Sequence, residues 1–372
     1  MLIGIDASRS EVKDKTGTEN YSNELIKAML ELPESRKHTF RLYKKMTRSD
    51  LVSKQGPTFI EEIPINWPRL WTQGGLAIET WKRPPEVLWV PAHTLPVLRK
   101  PGIKTVVTIH GLEYEFLPEY YQFPQKLWLN KSTEYAVKQA DKLIAVSKWT
   151  KKQLVERLGA DPGKISVVYE GVRPGQGRTL SREYMRQIRY KYSLPKEYIL
   201  FVGTIQPRKN LVRLIEAFAK VINYPIRTDL VIAGKLGWMY DEILEAPKKF
   251  GVEKRVKFIG RVAEADLAAI YHDARLFVWP SLMEGFGLPV LEAMAAGIPV
   301  ITSNRGALPE VAGEAGLLVD PENTQEIAQA MKLVLENEGL RQGLIEKGFR
   351  QVKKFSWEQA AKQTLDILTN WE

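Results

Sequence analysis

Short runs of bulky apolar residues punctuate the chain, and longer stretches with a helical apolar stripe separate them. Residues 2–5, 84–90, 105–109, 141–147 and 164–169 form one series, and 198–202, 230–233, 256–259, 275–279, 298–302 and 316–319 a second. Short apolar runs of this kind are predicted strands buried on both faces of a parallel sheet. Between them, residues 21–32 place Leu25, Ile26, Met29 and Leu30 at helical spacing, and 125–140, 149–158 and 211–221 read as further helices. Asn323 with Glu326 makes a capping box ahead of a helix bearing Ile327, Met331 and Val334, and residues 357–371 are amphipathic. Strand alternating with helix through right-handed crossovers gives a doubly wound sheet for residues 1 to about 170 and a second α/β unit from 198 onward.

One stretch concentrates the polar chemistry: Pro280-Ser-Leu-Met-Glu284-Gly-Phe-Gly-Leu-Pro-Val-Leu-Glu292-Ala-Met-Ala-Ala-Gly297. It follows the apolar run 275–279, so it reads as strand, glycine loop and short buried helix, with Pro289 in the first turn and Gly297 just past the end. Glu284 then lies in the loop at the strand's carboxyl end, where open α/β sheets bind ligands, and Glu292 about one turn into the helix. A carboxylate among Ala293, Met294 and Ala295 costs free energy unless a partner hydrogen-bonds it. A dinucleotide fingerprint fits poorly, because Val290 stands where a third glycine is wanted. Two readings remain: Glu292 satisfied by backbone amides with Glu284 solvated, or both acids directed at a ligand. Gly285 and Gly287 favour the second, since they leave amide N–H groups at a helix N-terminus, an anion site beside two hydroxyl-accepting carboxylates. Phosphate together with polyol is the chemistry of a sugar nucleotide.

The motif E-G-F-G-L-P-x-L-E-A-M-A-x-G-x-P-V, continued by Asn304-Arg-Gly-Ala-Leu-Pro-Glu310-Val and Gly316-Leu-Leu-Val-Asp320-Pro321, resembles the hallmark of glycosyltransferase family 4. The resemblance implies an α/β chain of GT-B architecture, two facing Rossmann-like doubly wound domains with an interdomain cleft. Its boundaries here would be 1–172 for an N-terminal acceptor-side domain, 173–196 for a basic linker and helix, 197–355 for a C-terminal nucleotide-sugar domain, and 356–372 for a helix crossing back. It further implies a retaining enzyme in which Glu284 holds hydroxyls of the transferred sugar, Glu292 holds the ribose, and Gly285, Phe286, Gly287 and Leu288 lie against the donor. Gly203-Thr-Ile-Gln-Pro-Arg208-Lys209-Asn210 stands between a strand and a helix, and the family's matching basic pair grips the donor diphosphate, which gives Arg208 and Lys209 that role. Arg261 and Val262 match the backbone that holds the base.

Some positions depart from the family pattern. Gly17 lies in the turn before the first helix, where the family usually has two glycines and Thr16 takes the other place; the turn either closes over the donor or is a plain turn. His110 follows the strand 105–109, as does the family's histidine that contacts the transferred sugar, but Gly111 replaces the usual aspartate, leaving Glu113, Tyr114 and Glu115 as sources of a carboxylate. Glu170 stands where an asparagine is usual at the interdomain junction. Trp67, Trp71, Trp81 and Trp89 crowd a proline-rich region and read first as packing residues, with stacking on sugars, or lipid contact for Trp67 or Trp71, as alternatives. Arg178, Arg182, Arg186 and Arg189 share one helix face, either a solvated basic surface or one that meets lipid headgroups or a phosphorylated acceptor.

The formal charge of +10 and pI near 9.4 suit phosphorylated partners or an anionic lipid surface, while no RNA-binding signature, zinc finger or lysine block points to nucleic acid. The chain has no cysteine, its four histidines (His38, His93, His110, His272) are scattered, and neither Asp-x-Asp nor a G-x4-G-K loop occurs. The expectation is therefore an enzyme that needs no cofactor and no metal, with Arg208, Lys209 and loop amides neutralising the departing diphosphate. Nothing resembles a signal peptide or a membrane span, so a cytoplasmic location is expected, with contact at the inner membrane face as an open alternative. The region Leu70-Trp71-Thr-Gln73 … Trp89-Val-Pro-Ala-His93 is similar to mannosyl- and rhamnosyltransferases of surface-polysaccharide assembly, which puts GDP-mannose first, ahead of UDP-hexoses, with a saccharide or lipid-linked acceptor. Two rivals stand beside this: a sugar-nucleotide epimerase of the same build, and a basic anion-binding protein.

Overall fold

The computed structural model describes residues 1–371 apart from 11, 13–16, 46–56, 122–124, 173–179 and 223–227. The chain divides into two compact units, Met1–Gly171 with Trp357–Glu372, and Val172–Ser356.

The first unit is built on a sheet of seven parallel strands: β1 (Leu2–Asp6), β2 (Thr39–Lys45), β3 (Ile60–Ile65), β4 (Val87–Val90), β5 (Lys104–Ile109), β6 (Lys142–Ala145) and β7 (Ile165–Val167). Their spatial order is β3-β2-β1-β4-β5-β6-β7. The central strands are buried throughout, as Val87, Leu88, Trp89 and Val90 show, because helices cover both faces of a parallel sheet. Helix Gly17–Glu31 buries Tyr21, Leu25, Ile26 and Met29. Helix Trp357–Thr369, from the far end of the chain, packs on it, with the Tyr21 and Trp357 rings 6.0 Å apart.

Strands β2 and β3 are absent from the apolar pattern. They form one side of the sheet and carry charge in cross-strand pairs, Arg41 with Glu61 at 2.7 Å and Lys44 with Glu62 at 2.7 Å. Pro64 is tolerated in β3 because an edge strand has one side free of ladder bonds.

The second unit contains β8 (Tyr198–Val202), β9 (Asp229–Ala233), β10 (Val256–Gly260), β11 (Leu276–Trp279), β12 (Val300–Ser303) and β13 (Gly316–Val319), all parallel, in the order β10-β9-β8-β11-β12-β13. This order winds outward from β8 in one direction and from β11 in the other. The switch point is thus the β8/β11 pair, where Leu276 faces Ile199 and Phe277 faces Leu200. A doubly wound sheet leaves a crevice at the carboxyl ends of such a pair, since the helices after the two strands pass to opposite faces. Helix Arg182–Lys191 is fastened to helix Glu264–His272, with Lys191 Nζ 2.6 Å and Tyr192 Oη 2.8 Å from Asp266.

Among the described members of the arginine stripe, Arg189 turns to Asp273 at 2.7 Å and Arg186 lies 3.6 Å from Glu183. These pairs offset part of the charge on that face, and Arg178 lies outside the described residues.

Candidate active site

The two loops expected to carry chemistry leave the sheet from β8 and β11, the switch-point strands. After β8, a turn over Pro207–Lys209 ends at Asn210, whose φ of 61° starts helix Leu211–Val221. After β11, the glycine loop reaches helix Leu288–Ala295, with proline in its first turn, and Gly297 follows the helix at φ 75°. Asn210 Nδ2 donates to the carbonyls of Pro280 (3.0 Å) and Pro321 (2.6 Å), and Leu282 N donates to Arg208 O at 2.9 Å. These bonds stitch the two loops into one surface.

On that surface the structure brings together Arg208, Lys209 and Glu284. Arg208 Nη1 lies 2.7 Å from Glu284 Oε2, and Lys209 Nζ lies 2.6 Å from Glu284 Oε1. Ser281 Oγ also donates to Glu284 Oε1, Arg208 Nη1 donates to Met283 O at 2.6 Å, and the Lys209 ammonium stands 4.3 Å over the Trp279 ring. Burial alone would raise the Glu284 carboxyl, but the charges of Arg208 and Lys209 outweigh it and bring the pKa down to about 2. Glu284 is therefore an anion held inside the loop pair, whereas the alternative from sequence had it solvated. Gly306 permits this arrangement: it adopts φ 65°, and a Cβ there would fall 2.6 Å from Glu284 O. Ala307 N donates to that same carbonyl at 2.9 Å.

Glu292 stands on the helix after the loop, half-buried, and accepts a hydrogen bond from Tyr271 Oη at 2.9 Å. One partner of this carboxylate is thus a side chain from another helix. Gly285, Phe286, Gly287 and Leu288 are buried between the two acids. Arg261, exposed, and Val262, half-buried, follow β10 at the same end of the sheet. Ser281 and Asn210, inside the two loops marked by the sequence, and Trp279, at the end of β11, join the site, while Tyr271 reaches it from a helix that carried no local signal.

In the first unit, His110 follows β5, with Nε2 donating to Pro91 O at 2.9 Å and Nδ1 3.4 Å from Glu170 Oε1. Both ring nitrogens thus face oxygens. The Tyr21 ring meets this imidazole edge-on at 4.6 Å. Glu113 fills the space that a side chain at Gly111 would take, its Oε1 2.6 Å from where a Cβ would be. A carboxylate therefore lies next to residue 111 despite the missing aspartate. His93, after β4, lies 5.6 Å from His110 between ring centres, and burial with the nearby His110 and Arg9 pushes its pKa well below the usual value. Gly17 opens its helix in an exposed position; Thr16 lies outside the described residues. Of the four tryptophans, Trp71 and Trp89 are buried, while Trp67 and Trp81 are exposed.

Among the described residues, no group of three or more His, Asp or Glu side chains gathers as a metal ligand set. No helix there is long and apolar enough to cross a membrane.

Comparison with known proteins places this geometry in a family. The family model described as glycosyl transferases group 1 matches residues 186–351, and that described as Glycosyltransferase Family 4 matches 17–176. The chain is 32% identical to O-antigen chain mannosyltransferase B of Escherichia coli over 265 residues, 71% of this chain and 69% of that protein. It is 31% identical to the serotype-specific mannosyltransferase WbdA of Escherichia coli over 279 residues, which span 72% of this chain but 33% of that longer protein. The solved structure of Anabaena Alr3699/HepE in complex with UDP and glucose aligns with a TM-score of 0.74 at 17% identity, covering 99% of each chain. The chain belongs to the group 1 glycosyltransferases, family 4, and its two parallel-sheet units have the GT-B fold.

Proposed function

We propose that this glycosyltransferase moves a hexose, mannose from GDP-mannose in the first instance, to a saccharide or lipid-linked acceptor in polysaccharide assembly, with retention and without a metal ion. The observation that carries the donor site is the buried cluster of Arg208, Lys209 and Glu284 at the switch point of the second sheet. Two cations and the amides of Gly285–Leu288 suit a diphosphate, and their charge replaces that of a metal as the leaving group departs. Glu284 is assigned to hydroxyls of the transferred sugar, Glu292 to the ribose, and Arg261 and Val262 to the base. In the first unit, His110 is assigned to the transferred sugar, as the family resemblance implies, and Gly17 to the loop that meets the donor.

Transfer follows from these assignments. The acceptor hydroxyl oxygen bonds to the anomeric carbon on the face from which the diphosphate oxygen departs. The hydroxyl proton passes to that departing oxygen, so no carboxylate nucleophile is required. The rate comes from positioning and from charge fixed in advance around the leaving group.

Mannose is favoured by the mannosyltransferase relatives, and UDP-sugars come next because the Anabaena structure holds UDP and glucose. Contact with an anionic membrane surface suits the first unit. There Trp81 is 55% exposed and donates to Leu98 O, Leu98 is 74% exposed, and Lys82, Arg83 and Lys100 are close in sequence.

The test is a thermal-shift panel of GDP-, UDP- and dTDP-sugars in EDTA, followed by NMR of the product's anomeric configuration. One donor class should stabilise the protein without metal, Glu292→Ala should abolish that shift, and the product should keep the donor's configuration. Equal shifts in wild type and Glu292→Ala remove the donor-site assignment, and an inverted product removes the mechanism.

A further inference from the structure

The strongest unassigned feature near the site is a tyrosine that reaches a functional carboxylate from a neighbouring helix. Tyr271 lies in the last turn of helix Glu264–His272, and its ring is fully buried against Phe277, 5.6 Å between centroids. Its hydroxyl donates to Glu292 Oε2 at 2.9 Å, although Glu292 belongs to helix Leu288–Ala295. We propose that Tyr271 is a positioning residue: it pins one oxygen of Glu292 so that the carboxylate meets the cis-diol of the donor's ribose in a fixed orientation. This rests on the assignment of Glu292 to the ribose made above.

The chemistry favours this role. A glutamate side chain has three rotatable bonds, and a half-buried one samples several carboxylate orientations unless one oxygen is held. An ionised carboxylate offers about four lone-pair sites, so one bond from Tyr271 leaves capacity for two ribose hydroxyls. Burial and the adjacent Glu292 charge push the Tyr271 phenol well above its ordinary pKa, so it keeps its proton and acts as a donor. The ring, locked by packing, transmits that orientation without motion of its own. Neither residue lies near the other in sequence; the packing of the two helices creates the pair.

A purely structural tyrosine and a positioning one differ in what they do to sugar recognition. Tyr271→Phe deletes one oxygen and keeps the ring, so it isolates the hydrogen bond. Calorimetry in EDTA measures affinities for GDP and 2′-deoxy-GDP, with UDP and 2′-deoxy-UDP as a parallel pair, on wild type, Tyr271→Phe and Glu292→Ala. Wild type should bind the ribonucleotide roughly ten- to a hundredfold more tightly than the deoxy form, the scale of a hydrogen bond to a charged group. In Tyr271→Phe that ratio should fall at least about fivefold, with phosphate contacts intact so that deoxynucleotide affinity changes little. A wild-type ratio in Tyr271→Phe alongside a lost ratio in Glu292→Ala overturns the positioning role while sparing the ribose assignment. Unchanged nucleotide affinities in Glu292→Ala overturn both. If Tyr271→Phe does not fold, Tyr271→Met, which refills the space without a hydroxyl, is measured against the same two outcomes.

Discussion

The ammonium of Lys209 and the carboxylate of Glu284 lie 2.6 Å apart, both almost wholly withdrawn from solvent, and Arg208 closes on the other carboxylate oxygen at 2.7 Å. Two cations share one buried acid, leaving net positive charge at the switch point of the second sheet. Such an arrangement keeps three charged groups in place before an anion arrives, which lowers the reorganisation needed on binding.

Acid should dissolve this cluster within a definite pH window. The Glu284 carboxyl has an ordinary pKa of 4.5 and is brought to about 2 in the folded chain. Its contribution is complete above 4.5 and falls as the pH drops from 4.5 toward 2, because the unfolded chain takes up the proton first. A depression of that size corresponds to roughly 3 kcal/mol. Urea denaturation of wild type and Glu284→Gln at pH 6, 4 and 3 should show the difference between the two proteins shrinking across this range. A constant difference contradicts the assigned ionisation.

Removing one cation leaves the acid buried and under-compensated. Lys209→Ala should destabilise the second unit by about 3–5 kcal/mol, as for other broken buried pairs. Since the Lys209 ammonium also covers the Trp279 ring, Lys209→Met, which restores the packing, should lose less of that stability while still losing donor affinity. Equal thermal stability of wild type and Lys209→Ala would show that the pair is not coupled to the fold.

Gly306 holds the Glu284 backbone from beneath. A Cβ there falls 2.6 Å from Glu284 O and 3.0 Å from Glu284 N, and φ is 65°, so Gly306→Ala must shift the loop. The expected cost is about 1–3 kcal/mol, with weaker donor binding, read by calorimetric unfolding and titration of the same sample. Wild-type donor affinity in that variant contradicts the tight packing of the turn on the acid.

Trp357 fastens the end of the chain to the first unit. It is 8% exposed and its ring lies 6.0 Å from that of Tyr21. Trp357→Ala should cost about 3–5 kcal/mol, the usual loss for a buried tryptophan, and should raise hydrogen exchange in helix Gly17–Glu31. Unchanged exchange there would detach the last helix from this role.

Much of this architecture was legible in the sequence. Strands β8, β9, β11 and β13 announce themselves as apolar runs because a parallel sheet buries both faces. The loop from Glu284 to Gly297 is marked by its glycines, its proline and its acids, which local backbone rules suffice to place. Strands β2 and β3 escaped notice because their charges are paired across strands, Arg41 to Glu61 and Lys44 to Glu62, and pairing of that kind leaves no apolar run. Short helices such as Ala77–Lys82 and Leu308–Ala312 carry too few turns to show a period. The pairs Tyr271–Glu292 and His110–Glu170 were invisible for a different reason: each joins separate elements, and only packing sets the distance. The same holds for the tryptophans, where Trp71 and Trp89 are core and Trp67 and Trp81 surface although all four share one compositional cluster.

Titration calorimetry of GDP-mannose in EDTA, on wild type and Arg208→Ala side by side, addresses the donor site most directly. Saturable binding by wild type without metal, weakened on the order of a hundredfold in Arg208→Ala, is the expected outcome for a buried charge-assisted contact to phosphate. Binding of any nucleotide sugar that appears only with a divalent cation, or that Arg208→Ala leaves unchanged, contradicts the proposal that these two side chains replace a metal at the diphosphate.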